Sequence, residues 1–259
     1  QDKGLHIVDS WPVEEAHKVA SVELDGNAHG LFLQGDKLLV ASSFYASSGS
    51  DFDHGGTRIQ IFDVTDRSAP TILQSIEVEG HLIDARLINS DAYLVLNNYM
   101  DVSYEFWELF YDSELRLPEM DWDLVYQEDT KEAEEYVRQQ RAEARPVISS
   151  LVRAFMEDVS PEELLPMLSN DGTVSALHEC DSILTPAHAE QLNMLSMINI
   201  DLESHELNTT GLLSNGWTVY ASQSNLYVAQ SGQWWGWGSN ALESHIHKFD
   251  LNGGLAPEY

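Results

Sequence analysis

The chain has 259 residues, 43% of them hydrophobic and 10% aromatic, enough to bury a substantial core, which excludes a disordered polypeptide. Its 43 acidic and 13 basic side chains leave a net charge of −30. That charge excludes nucleic-acid binding, which needs Lys and Arg to displace counterions, and attachment to an anionic membrane surface. No apolar run approaches the roughly 20 residues of a spanning helix, and a single cysteine, Cys180, rules out an internal disulfide framework.

In chain order, Gln1 is not followed by the charged and apolar regions of a signal peptide. The last residues, Leu255-Ala256-Pro257-Glu258-Tyr259, read as the opening of a strand. The expectation is a processed product or, favoured by that ending, a piece of a longer chain.

A short apolar strand ending in Asp recurs: Gly4–Asp9, Arg58–Asp63, Met197–Asp201 and His245–Asp250. The residue before the Asp is apolar each time: Val8, Phe62, Ile200 and Phe249. The Asp-to-Asp intervals are 54, 138 and 49, so the middle one holds an ordinary repeat plus an insertion. After Asp9 and Asp63 the pattern continues with a Pro, a strand (Lys18–Leu24, Thr71–Val78), an acidic residue and a Gly (Asp25-Gly26, Glu79-Gly80). Two further strands follow each Gly: His29–Leu33 and Lys37–Ser42, then Ile83–Ile88 and Ala92–Leu96. A third copy reads Trp217–Ala221 and Leu226–Ala229. The hinges are Gln34-Gly35-Asp36, Asn89-Ser90-Asp91 and Ser222-Gln223-Ser224-Asn225, typical tight-turn chemistry.

Four short strands per repeat of about 50 residues are the pattern of a β-propeller blade. A β-sandwich is the competing all-β arrangement, but it needs no repeat. The expected fold is therefore an all-β propeller with about three and a half blades and an acidic helical insertion. The blades are read as 4–25 (last two strands only), 27–79, 81–214 with the insertion, and 216–259. As domains, 1–100 and 191–259 hold the blades and 101–190 is the insertion. An open arc exposes two apolar blade faces, so the remaining blades are expected on the same gene product or on a partner chain.

These residues resemble the secreted bacterial and archaeal beta-propeller domain family, distantly related to WD40 proteins. "GLHIVDSWP" and "RIQIFDVTDRSAPTILQSIEVEG" also look like LVIVD-type repeats. The tracts "WTVYASQSNLYVAQ", "SHIHKFDLNGG", "HLIDARLINSDAYLVLNN" and "HECDSILTP" carry the resemblance further, with Ser244 where Thr is usual. The resemblance covers nearly the whole chain, least well at 101–175. It implies export to a secreted, periplasmic or cell-surface location and a longer propeller, and it brings no catalytic motif.

Residues 101–190 hold 22 acidic and 6 basic residues, a net charge of −16. Thr130–Met156 has a helical pattern, and Pro146 is expected to kink or split it into helices near 131–145 and 147–157. Ser160-Pro161-Glu162-Glu163 reads as a helix start with a capping box. The insertion is an acidic solvated cap or, given the aromatic-acidic tract "YEFWELFYDSELRLPEMDWDLVY", a docking or gating surface.

Several groups are candidates for chemistry. Asp51, Asp53 and His54, beside Gly55 and Gly56, can bind a cation such as calcium, although they lack the EF-hand spacing and a polar hairpin loop is the favoured reading. His245 and His247 share a strand face but reach no three-ligand set, and His247 reads as a structural histidine. His29, Asp84 and Trp217 fall at matching places near the start of the inner strands, as a polar channel lining or a ligand site. Trp234, Trp235 and Trp237, spaced by glycines, can stack on a sugar or a peptide or pack internally. No GxSxG tract is present, and Cys180 near His178 reads as a thiol that is buried or pairs outside the chain. The composite expectation is an exported, non-enzymatic binding or scaffold propeller with a protein or glycan partner. The alternative is a metal-binding or hydrolytic propeller acting at the channel mouth.

Overall fold

The computed structural model describes residues 4–45, 52, 55–99, 119, 121–125, 131–160, 164–186, 193–231, 244–252 and 255–257. The packing of the backbone divides the chain into two units: residues 1–100, 165–229 and 246–259 form one, and 101–164 with 230–245 the other.

The first unit is built of antiparallel sheets in blade order. β1 (Gly4–Asp9) and β2 (His17–Glu23) form a two-stranded sheet. β3 (Asn27–Gln34), β4 (Lys37–Phe44), β5 (Gly56–Asp63) and β6 (Thr71–Glu79) form the second blade. The third blade is β7 (His81–Ile88), β8 (Asp91–Tyr99), β12 (Asn193–Asp201) and β13 (Leu207–Leu213). The fourth is β14 (Thr218–Ala221), β15 (Asn225–Ser231), β16 (Ser244–Asp250) and the short β17 (Ala256–Pro257).

The stretch 101–190 holds more than helices. β9 (Met167–Asn170) and β10 (Thr173–Ala176) form a hairpin, and β9 pairs with the outer edge of β6. β11 (Ile183–Leu184) lies parallel to β13, outside the third blade. Residues from the insertion thus cover two outer edges, which as bare strands would expose unpaired backbone groups.

The core follows the period of two. Along β4, Leu38 and Val40 pack with Leu5 of the first sheet and with Leu24 just after it, while Leu39 and Ala41 pack with Ala92, Leu94 and Leu96 of the third blade. Along β8 the alternation repeats, with Tyr93 and Val95 packing against Leu226, Val228 and Phe249 of the fourth blade. Every strand buried on both faces therefore reads as a nearly continuous apolar run. Each fully buried aliphatic side chain contributes ~1.5–3 kcal/mol.

The repeated Asp has one job in all four copies: its carboxylate accepts a backbone N–H two residues on and closes the turn after the third strand of the blade. Trp11 N donates to Asp9 Oδ1 (3.3 Å), Thr65 N to Asp63 Oδ1 (2.8 Å), Glu203 N to Asp201 Oδ1 (2.6 Å) and Asn252 N to Asp250 Oδ1 (3.0 Å). Hydrogen bonds from Thr65, with a smaller contribution from Lys37, hold the Asp63 carboxyl at about 2.

Gly26 and Gly80 stand where the chain crosses to the next blade, at φ +131° and +114°, values that L side chains rarely adopt. A Cβ at Gly26 would collide with Ser43 O, and one at Gly80 with the Asn98 amide.

In the second unit, α1 (Trp122–Val125) is tied to α2 (Lys131–Asp158) through Tyr136, whose hydroxyl accepts from Asp121 N (2.8 Å) and donates to Glu119 O (3.2 Å). Pro146 does not split α2, which runs as one helix of 28 residues. The proline removes one intrahelical hydrogen bond. Ala133 and Val137 before it, and Leu151 and Phe155 after it, are buried at helical spacing and keep the two halves one element. Of the helix start read at 160–163, residues 161–163 lie outside the described residues, as does most of the aromatic-acidic tract.

Candidate functional site

The first strands of three successive blades are neighbours, with β7 beside both β3 and β14, the arrangement of innermost propeller strands. Each begins with an irregularity at the same place. The β3–β4 register shifts between Ala28 and Gly30, leaving His29 as the extra residue. The β7–β8 register shifts between Leu82 and Asp84, leaving Ile83 extra. In the fourth blade, Trp217 N donates to Ala229 O (3.3 Å), although Ala229 is the partner of Thr218.

His29, Ile83 and Trp217 are thus the structurally matching positions, each five residues before its hairpin turn. Asp84 stands one residue further along, level with Gly30. The bulge causes this offset, because an inserted residue reverses the facing of what precedes it. Leu82 consequently shares a core with Ala85 and Leu87, while Ile83 packs with the core between the third and fourth blades.

Between β3 and β7 the bulges open a groove of about 480 Å³. His29, Phe32, Leu82, Asp84 and Arg86 are among the residues that line it. Trp217 is exposed and lies outside that lining. Asp84 Oδ1 accepts from Arg86 Nη1 and from Ala85 N (2.8 Å), and Arg86 Nη1 also donates to Ala85 O (2.7 Å). Arg86 Nε and Nη2 have no partner among the described residues. The groove therefore offers unspent guanidinium donors beside an apolar wall. His29 Nε2 lies 3.0 Å from Ser43 Oγ. This resembles a nucleophile and its base, but among the described residues no third group orients His29 Nδ1.

Arg86 and Ser43 were not singled out from the sequence. The Asp84-Ala85-Arg86 spacing, two residues on a strand and so one face, is the signal that could have found Arg86. Nothing local marks Ser43, which meets His29 only through the β3–β4 pairing.

A second His–Ser pair is closed to solvent. His178, beside β10, lies with Nε2 2.8 Å from Ser196 Oγ and Nδ1 3.1 Å from Thr209 Oγ1. Ser196 Oγ donates to Asn98 Oδ1 (2.9 Å), and Asn98 Nδ2 donates to Glu79 O. Burial pushes the His178 ring down to about 4. The His178 ring lies between the Ser196 and Thr209 hydroxyls and does not pair with Cys180, whose thiol is exposed rather than buried. His247 is likewise buried, 3.0 Å from Ser214 Oγ.

Asp51, Asp53, His54, Trp234, Trp235 and Trp237 lie outside the described residues. Among the described residues no group of three or more His, Cys, Asp or Glu side chains is placed to hold a metal ion, and no helix is long and apolar enough to cross a membrane.

Compared with known families, the chain matches the model of the Beta propeller domain over residues 1–259. No curated protein and no solved structure matches it.

Proposed function

The chain belongs to the Beta propeller domain family, and from that premise we infer that it is an exported, non-enzymatic binding module whose ring is completed by further blades. Its ligand seat is the groove between β3 and β7. The observation that carries this reading is Arg86: anchored through Nη1 on Asp84 and Ala85 O, it holds its remaining donors toward a groove of small-ligand size. A planar guanidinium matches a carboxylate in fork geometry, so the ligand is a peptide segment presenting a carboxylate. Phe32 and Leu82 supply the apolar wall that such a segment covers.

Isothermal titration against short acidic peptides and against neutral oligosaccharides tests this. Peptide binding that Arg86→Gln abolishes supports the reading. Binding of the oligosaccharides alone, or peptide binding indifferent to Arg86→Gln, contradicts it. Export is tested separately, by fractionating the natural host and probing the cytoplasm against the exterior.

A further inference from the structure

Two apolar surfaces of the first unit are exposed where their counterparts are buried, and the blade register identifies what is missing from each. Ala85 and Leu87 on β7 pack into the core shared with the preceding blade. Counted from the hairpin turns, their counterparts on β3 are Leu31 and Leu33. Leu31 pairs with Val40 and Leu33 with Leu38, both of which belong to the core facing the first sheet. Yet Leu31 is 55% and Leu33 57% exposed, whereas Val40 is 0% and Leu38 6% exposed.

The first sheet explains the difference. β1 and β2 are the third and fourth strands of a blade: Leu5, four residues before Asp9, matches Ile59, four before Asp63, and both face the following blade. The register irregularity falls at the same step in both, between Ile7 and Val8 and between Ile61 and Phe62. These two strands cover the outer half of the second blade. Nothing among the described residues covers the inner half, and among them β1 pairs in its sheet with β2 alone.

The fourth blade carries the complementary surface. Ile246, four residues before Asp250, matches Ile59 and Met197, both 0% exposed, but is itself 68% exposed. Tyr220, two strands away on β14 and matching the part-buried Phe32, is 65% exposed, with its ring 6.0 Å from that of Tyr227 and tilted to it.

We propose that Leu31, Leu33 and the edge of β1 opposite β2 form the docking surface for an antiparallel β-hairpin from outside these 259 residues, which supplies the first two strands of the first blade. This rests on the reading that further blades complete the ring, and it says where and how the junction is made. The hairpin hydrogen-bonds along β1. It lays apolar side chains, at the places Phe32 and Leu39 occupy in the second blade, over Leu31 and Leu33. A second copy of this chain offers no such hairpin among its described residues, because its β3–β4, β7–β8 and β14–β15 hairpins are already paired into sheets.

The test compares the protein purified from its natural host with residues 1–259 produced alone. Leu33→Cys is introduced into both in a Cys180→Ser background, with Val174→Cys on the outer β10 as an exposed reference, and the rate of maleimide labelling is measured. Amide exchange of Gly4–Asp9 in the unsubstituted proteins needs no variant and guards against misfolding. The proposal expects labelling at position 33 to match the reference in the isolated chain and to be at least about tenfold slower in the natural protein, with β1 amides protected only there. A natural protein that is a monomer of this chain's mass removes the completing blades altogether. A larger one in which position 33 labels freely removes only this placement. Protection at position 33 without protection of β1, or protection produced by self-association of the isolated chain, also overturns it.

Discussion

Ser196 Oγ lies 2.8 Å from His178 Nε2 while donating to Asn98 Oδ1. The pair joins a segment returning from the insertion to the middle of the third blade. It would pass for a catalytic pair on distance alone, but Ser196 is 0% and His178 2% exposed. Its work is to fasten Leu177–His178 over β12 and β13, helped by Thr209 Oγ1 donating to Leu177 O (2.9 Å).

That pair makes stability depend on pH. His178 holds its proton only below about 4 in the folded chain, against 6.5 unfolded. The neutral ring therefore contributes fully above pH 6.5, and its contribution is lost as pH falls toward 4, because the unfolded chain takes up the proton first. The shift corresponds to on the order of 3 kcal/mol. Thermal unfolding of His178→Gln, followed by circular dichroism, should give a lower melting temperature at pH 7 and a shallower fall between pH 6.5 and 4 than the parent. An unchanged slope would show that His178 is not the group responsible.

Gly80→Ala should destabilise the chain by roughly 1–3 kcal/mol, since it forces a β-carbon into an unfavourable φ and against the Asn98 amide, which itself holds Glu79 O. Gly35→Ala is the control. Its φ is +58°, but nothing lies within 4 Å of the added carbon. Urea unfolding should rank Gly80→Ala as the more damaging of the two, and equal losses would mean that the blade crossing is not tightly packed.

Arg58 fastens three strands. Its Nε and Nη2 both donate to Glu77 Oε1 (2.9 and 2.6 Å), Nη1 donates to Asp25 O (2.7 Å), and the guanidinium lies 5.2 Å over the Phe44 ring. Being 15% exposed against 20% for Glu77, the pair is screened less than a surface bridge. Arg58→Ala should cost ~2–4 kcal/mol, with Arg58→Lys recovering only part, because an ammonium cannot reproduce the fork. Full recovery by Lys in chemical denaturation would argue for simple charge neutralisation.

The Asp turns predict a graded result. Asp201 Oδ1 accepts from both Glu203 N and Ser204 N, whereas Asp9 Oδ1 accepts from Trp11 N alone, at 3.3 Å. Asp201→Ala should cost about 1 kcal/mol and Asp9→Ala less. Differential scanning calorimetry of the two variants decides the order.

These same residues show what the sequence could and could not reveal. The Asp repeat was legible because its bond spans two residues, and so it marked blade ends before any strand pairing was known. The inner-strand bulges were not, because a bulge exists only in the register between two strands. Aligning His29 with Asp84 by position therefore missed by one residue and passed over Arg86. The β9–β10 hairpin was hidden for a related reason: Ser169 meets Glu77 and Asn170 meets Ile76 only because β6 offers an outer edge nearly a hundred residues earlier. Pro146 showed the reverse, a strong local breaker overruled by burial on either side of it.

The central claim is that the β3–β7 groove is a ligand seat organised by Arg86. Chemical-shift mapping on ¹⁵N-labelled protein, titrated with a short acidic peptide, tests it most directly. The account predicts saturable shifts confined to residues 29–32 and 82–86, with the Arg86 Nε–H signal moving furthest and no response in Arg86→Gln. Shifts centred elsewhere, or a titration in which the Arg86 signal stays still, would contradict it.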